Sequence, residues 1–210
     1  MTPQHHLPAD IERTSLKMIA AELAELGLTP PPETEAVVRR VIHTTADFDY
    51  AKNLRFTPGA VQKAVEALHK GAFLVTDTNM ALAGITKPGL AKLGGQAACY
   101  MADPEVAARA KAEGTTRAVA AMHKAAAEHP GAILAVGNAP TALLTIAEQI
   151  EAGLRPALVI GVPVGFVNVV ESKERIIEAA AAPYIVSRGR KGGSNVAAAI
   201  CNAMLYQIRR

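Results

Sequence analysis

From residue 72 onward, short apolar runs alternate with helical patterns, and that alternation limits the possible folds more than any other feature of the chain. Continuous apolar runs suit strands that are covered on both faces, so the pattern specifies a parallel sheet between helices and an α/β fold class. Five runs have strand character: residues 72–76, 97–101, 132–136, 157–160 and 184–187. Helices are expected between them over residues 79–84, 104–129 with a break at Gly114, 140–152 and 170–180, and a last helix over 195–208 closes the chain.

Three helices precede the sheet. Ile11, Leu16, Ile19, Leu23 and Leu26 recur at helical spacing over residues 9–26, with Gly27 as the stop. A rigid Thr-Pro-Pro-Pro connector at 29–32 leads to a second helix over 33–43. Thr57-Pro58 reads as the cap and first turn of a third, ending near Gly71. With 210 residues, half of them hydrophobic, the chain can bury a sizeable core, and residues 1–210 read as one domain. The extra helices and the apolar positions Val196, Ile200, Met204, Leu205 and Ile208 exceed what a five-stranded core needs for cover, which predicts a homodimer.

Several classes are excluded early. A net charge of +3 from 22 basic and 19 acidic residues is too balanced for a nucleic-acid partner. Cys99 and Cys201 lie far apart without zinc spacing, so no metal site is expected, and free thiols fit a reducing cytoplasm. Residues 1–10 carry Pro3, His5, His6 and Pro8 and no apolar stretch, so neither a signal peptide nor an anchor is read there. The longest uncharged run, 156–170, is broken by Gly161, Pro163 and Gly165, so no membrane partner is expected.

In open α/β sheets, ligands bind beyond the carboxyl ends of the strands. Those ends carry Thr76-Asp77-Thr78-Asn79-Met80, Gly137-Asn138-Ala139-Pro140-Thr141, Gly161 to Phe166, and Arg188-Gly189-Arg190-Lys191-Gly192-Gly193-Ser194. Asp77, Met80, Asn138, Thr141, Arg190, Lys191, Gly192, Gly193 and Ser194 are therefore candidate substrate-binding residues, although tight strand-to-helix turns use Gly, Asn and Pro for their own geometry as well. No P-loop, G-x-G-x-x-G or G-x-S-x-G motif is present, which leaves a site for an anionic small molecule.

One further stretch carries chemistry. The second helix runs into Arg39-Arg-Val-Ile-His43-Thr-Thr-Ala-Asp47, where an ordered element hands over to a polar loop. Imidazole gives or takes a proton near neutrality, so His43 is the candidate catalytic residue. A histidine at a helix end also interacts with the last carbonyls, and spacing alone leaves both readings open.

Ile11-Glu-x-x-Ser15, Arg39-Arg-Val-Ile-His43, Thr76-Asp-Thr-Asn-Met80 with Ala83-Gly-Ile-Thr86, Thr116-Arg117-Ala, Gly137-Asn-Ala-Pro-Thr141, Gly161-x-Pro-Val-Gly-Phe166 with Glu171-Ser-Lys173, and Gly189-Arg-x-Gly-Gly-Ser194 stand in that order. Together they resemble the precorrin-8X or cobalt-precorrin-8 methylmutase family of corrin-ring biosynthesis, over nearly the whole chain. The resemblance implies a flavodoxin-like five-stranded parallel sheet with extra N-terminal helices, a cytoplasmic homodimer with sites near the subunit interface, and no cofactor. It implies a tetrapyrrole substrate, a corrinoid product, and a [1,5]-sigmatropic methyl shift from C-11 to C-12. It also implies that His43 donates a proton and that Ser15, Thr86 and Arg117 contact the substrate, with Thr14 an alternative to Ser15. The rivals are a tetrapyrrole carrier without catalysis and an α/β isomerase or transferase for another carboxylate. The first would not need an imidazole at position 43.

Overall fold

A computed structural model describes residues 7–208. His5 and His6, to which the sequence assigns no function, lie outside them. The first layer begins with α1 (Pro8–Glu25), α2 (Pro32–Thr45), a short α3 (Tyr50–Asn53), strand β1 (Leu54–Phe56) and α4 (Ala60–His69). The alternating part follows as β2 (Leu74–Thr76), α5 (Asn79–Gly84), α6 (Lys87–Ala91), β3 (Ala97–Ala98), α7 (Pro104–Ala112), α8 (Arg117–Glu128), β4 (Ile133–Val136), α9 (Pro140–Glu151), β5 (Leu158–Gly161), α10 (Val169–Ala179), β6 (Tyr184–Ser187) and α11 (Ser194–Gln207).

The sheet order is β1-β6-β5-β4-β2-β3. All pairs are parallel except β1 with β6. Numbered among themselves, the five parallel strands run 2-1-3-4-5, the flavodoxin-like order, with the reversal between β2 and β4. Side chains alternate between the layers as strand geometry requires. Leu74, Ile133, Leu158, Ile160 and Ile185 pack with α1, α2, α4, α5, α6 and α11, whereas Val75, Leu134, Val159 and Val186 pack with α7, α8, α9 and α10.

The expected five-stranded sheet has a sixth strand. Residues 54–56 are too short and too mixed to read as a strand alone, and they become one because β6 offers a free edge. The expected strand at 97–101 stops at Ala98 and turns into a 3₁₀ helix at Tyr100–Ala102, where the Tyr100 hydroxyl meets Glu128 and His129. The third helix begins at Ala60 rather than at Thr57, because Gly59 takes φ +71° and breaks the turn before it. The break at Gly114 separates α7 from α8 as expected. The apolar positions of α11 are core rather than surplus: Val196, Ile200 and Met204 are wholly buried. The exposed large apolar side chains are instead just before α1 (Leu7), on it (Ile11, Met18), just past it (Leu26), and at the strand ends (Met80, Val164, Phe166, Val167). No described helix is long and apolar enough to cross a membrane.

Candidate active site

The site begins with α2, which buries Val37, Val38, Val41 and Ile42 and leaves His43 half-buried in its last turn. The helix runs two residues past the expected end at 43, until Ala46 adopts a left-handed conformation. α2 lies antiparallel to α11: the Arg40 guanidinium stacks 4.8 Å over the Tyr206 ring near the end of α11, and Asp47 meets Lys191 just before its start. Because α11 starts at the carboxyl end of β6, His43 is carried to the same edge of the sheet as the strand-end loops.

His43 Nδ1 lies 2.8 Å from Ser15 Oγ on α1, a contact that fixes the ring across a separation of 28 residues. Nε2 has no partner among the described residues. Ile11, Thr14, Ser15, Met18, Ile19, Glu22, Ile42, His43, Ala46 and Phe48 enclose an open groove of about 420 Å³. Both Thr14 and Ser15 therefore face the groove, and Ser15 is the one bonded to the imidazole.

The crevice between β2 and β4 is filled by the protein itself. Buried Asp77 accepts hydrogen bonds from the N–H groups of Gly137 (2.8 Å), Asn138 (2.8 Å) and Ala139 (2.7 Å). Burial pushes its carboxyl above the ordinary range, and these three N–H groups oppose that by favouring the ionised form. Asp77 thus occupies the donors that a ligand anion would use, so its carboxylate ties two loops together. Next to it, Thr78 Oγ1 and Ser194 Oγ are 2.8 Å apart, and a Cβ on Gly137 would come within 2.7 Å of Ser194 Cα. Gly192 is tighter still: a Cβ there would sit 2.1 Å from the Val162 carbonyl oxygen. Gly193 is buried, with its N–H donating to the same oxygen at 2.8 Å. These glycines let β5, β6 and α11 approach one another.

Of the three cations at 188–191, two face carboxylates of the protein. Arg188 forms a two-pronged pair with Glu174. Lys191 bonds Asp47 (2.6 Å) and Asp49 (2.7 Å), which raise its pKa and tie the loop to the end of α2. Arg190 has no carboxylate partner among the described residues, and its guanidinium lies 5.3 Å over the exposed Phe166 ring. Arg117, exposed at the first turn of α8, has no ion-pair partner among the described residues either and sits beside the Thr116–Thr141 hydroxyl contact of 3.4 Å. Arg117 and Thr141 belong to the opposite layer from His43, and no described contact joins the two groups. Thr86 is half-buried at the start of α6, its N–H donating to Asn202 Oδ1 at 2.9 Å. Asn138 is exposed.

The apolar side chains divide differently from a core-packing expectation. Met80 is 73% and Phe166 78% exposed, available as flat walls, whereas Pro163 is buried. Among the described residues, no group of three or more His, Cys, Asp and Glu side chains is placed to hold a metal. A half-buried imidazole beside an apolar groove can hold a large apolar body and give it a proton, and the exposed side chains of Arg117 and Arg190, which do not line that groove, are cations that could meet carboxylates.

Comparisons with known proteins agree on one family. The precorrin-8X methylmutase family model matches residues 10–207. The chain is 44% identical to the cobalt-precorrin-8 methylmutase of Salmonella typhimurium over 96% of both chains. It is 38% identical to the precorrin-8X methylmutase of Pseudomonas aeruginosa, over 92% of this chain and 93% of that one. A crystal structure of precorrin-8X methyl mutase from Thermus thermophilus superposes with a TM-score of 0.85 at 41% identity, covering 95% of this chain and 97% of the other. The chain is an isomerase that belongs to the precorrin-8X methylmutase family.

Proposed function

We propose that this chain moves a methyl group from C-11 to C-12 of cobalt-precorrin-8 to give the corrinoid product cobyrinate, by an acid-assisted [1,5]-sigmatropic shift, with residues 1–210 acting as one domain and no cofactor. The observation that carries the reading is the Ser15–His43 contact at the wall of an open groove. With Nδ1 protonated and donating to Ser15 Oγ, Nε2–H is left to protonate the ring. Protonation withdraws electrons from the conjugated system, so the methyl group can migrate with its bonding pair. The cobalt-bearing name of the Salmonella relative supports the cobalt form as substrate. A carrier without catalysis would have no use for an oriented imidazole in the groove.

The exposed arginines lead to a binding test. Product affinity should fall as salt rises, because exposed ion pairs are screened. Arg117→Ala should weaken product binding by about 1.5–3 kcal/mol, one charged hydrogen bond. Unchanged affinity in a titration would remove Arg117 from the site.

The same surface supports a homodimer. Ile11 and Met18 are 49% and 67% exposed beside the groove, which is apolar area that a two-fold partner would cover. Sedimentation at micromolar concentration should give a dimer, and a monomer there contradicts this part of the reading.

A further inference from the structure

Lys173 is wholly buried on α10, yet among the described residues no carboxylate bonds its ammonium group. Its Nζ donates instead to two backbone carbonyls, Gly189 at 2.7 Å and Lys191 at 2.9 Å. Those two residues flank Arg190. Ser187 Oγ donates to the same Lys191 oxygen at 3.1 Å, and the Gly165 N–H donates to the Arg190 oxygen at 3.2 Å. The segment that presents Arg190 is therefore held from below at each of its three residues 189–191. A buried cation without a counter-ion is costly, and neither chain packing nor helix propensity requires one here.

We propose that Lys173 is a positioning residue for substrate binding: it clamps the carbonyls on either side of Arg190 and places a positive charge beneath the loop, so the loop meets a substrate carboxylate already formed. This rests on the polycarboxylate reading above. The charged groups around it are otherwise engaged. Glu174 on the same helix pairs with Arg188. Glu148 and Glu151 on α9 pair with Arg175, and Lys191 pairs with Asp47 and Asp49. On β6, Tyr184 and Ser187 complete the surroundings.

Burial pushes the Lys173 amine down to about 8, partly offset by nearby Glu174. The group is charged below that pH and neutral above it. Attraction for a ligand anion is therefore present at neutral pH and is lost as pH rises through about 8.

The test compares wild type with Lys173→Met by cobyrinate titration from pH 7 to 9.5, with turnover and tryptic cleavage at Arg190 and Lys191 measured alongside. The variant should bind roughly 10- to 100-fold more weakly at pH 7, the effect of one charge-assisted hydrogen bond. It should lack the fall in affinity near pH 8, keep kcat close to wild type, and be cut faster by trypsin. Lys173→Gln, which keeps a donor without the charge, should also lose the fall near pH 8, and it carries the test if the Met variant does not fold. Wild-type affinity in either folded variant, or weaker affinity with the fall near pH 8 intact, overturns the proposal. So does a wild-type protein whose affinity is flat across pH 8. A wild type that binds no cobyrinate at any pH defeats the functional reading instead, and unchanged tryptic cleavage would then defeat the clamp separately.

Discussion

His43→Ala is expected to lower turnover by roughly 10²–10⁴, the usual contribution of a positioned general acid. Product affinity should stay within about tenfold, because the arginines proposed to meet its carboxylates lie away from His43. The fold should survive: α2 is held by Val37, Val38, Val41 and Ile42, whereas His43 is half-buried and its ring bonds Ser15 alone. Steady-state kinetics with circular dichroism on the same sample decides the matter. Wild-type turnover makes His43 a bystander, and an unfolded variant makes it a structural residue. Ser15→Ala separates orientation from chemistry, since it leaves the imidazole in place but frees Nδ1.

The second large effect is on stability. Asp77→Ala removes the acceptor for three backbone N–H groups at a buried junction. Each stranded donor costs about 1–3 kcal/mol, and water entering the space left by the side chain recovers part, so a loss of roughly 3–5 kcal/mol is expected. Urea unfolding reads it directly. A midpoint within experimental error of wild type would mean that the loop after β4 does not depend on Asp77, and would return its carboxylate to the list of ligand contacts.

The legible part of the fold was the part with a long-range pattern. Apolar runs of four or five residues between helices announced a parallel sheet, and four of the five expected strands persist near their expected places. What failed was local and depended on partners far along the chain. Leu54–Phe56 is a strand only because β6 lies alongside, and Ala97–Ala98 is cut short by what Tyr100 meets.

The site divides in the same way. The strand-end loops were located by topology alone, but which of their side chains are free was not. Asp77 and Lys191 carry the right charges in the right loops, yet their partners, the N–H groups at 137–139 and the carboxylates of Asp47 and Asp49, are distant in sequence. The pairing of Ser15 with His43 could not be read from spacing, and the family likeness named both residues but gave Ser15 as a substrate contact rather than as the partner of the imidazole. Lys173 left a signal that went unused: it shares a helical face with Val169 and Ile176, both buried, and a lysine in such a stripe implies internal acceptors.

The most direct measurement is to incubate the purified protein with cobalt-precorrin-8 and with its metal-free counterpart side by side, and to locate the migrating methyl group by NMR. The account predicts that the cobalt form returns as cobyrinate with the methyl on C-12. Recovery of both ligands bound but with the methyl still on C-11 would make the protein a carrier and would contradict it.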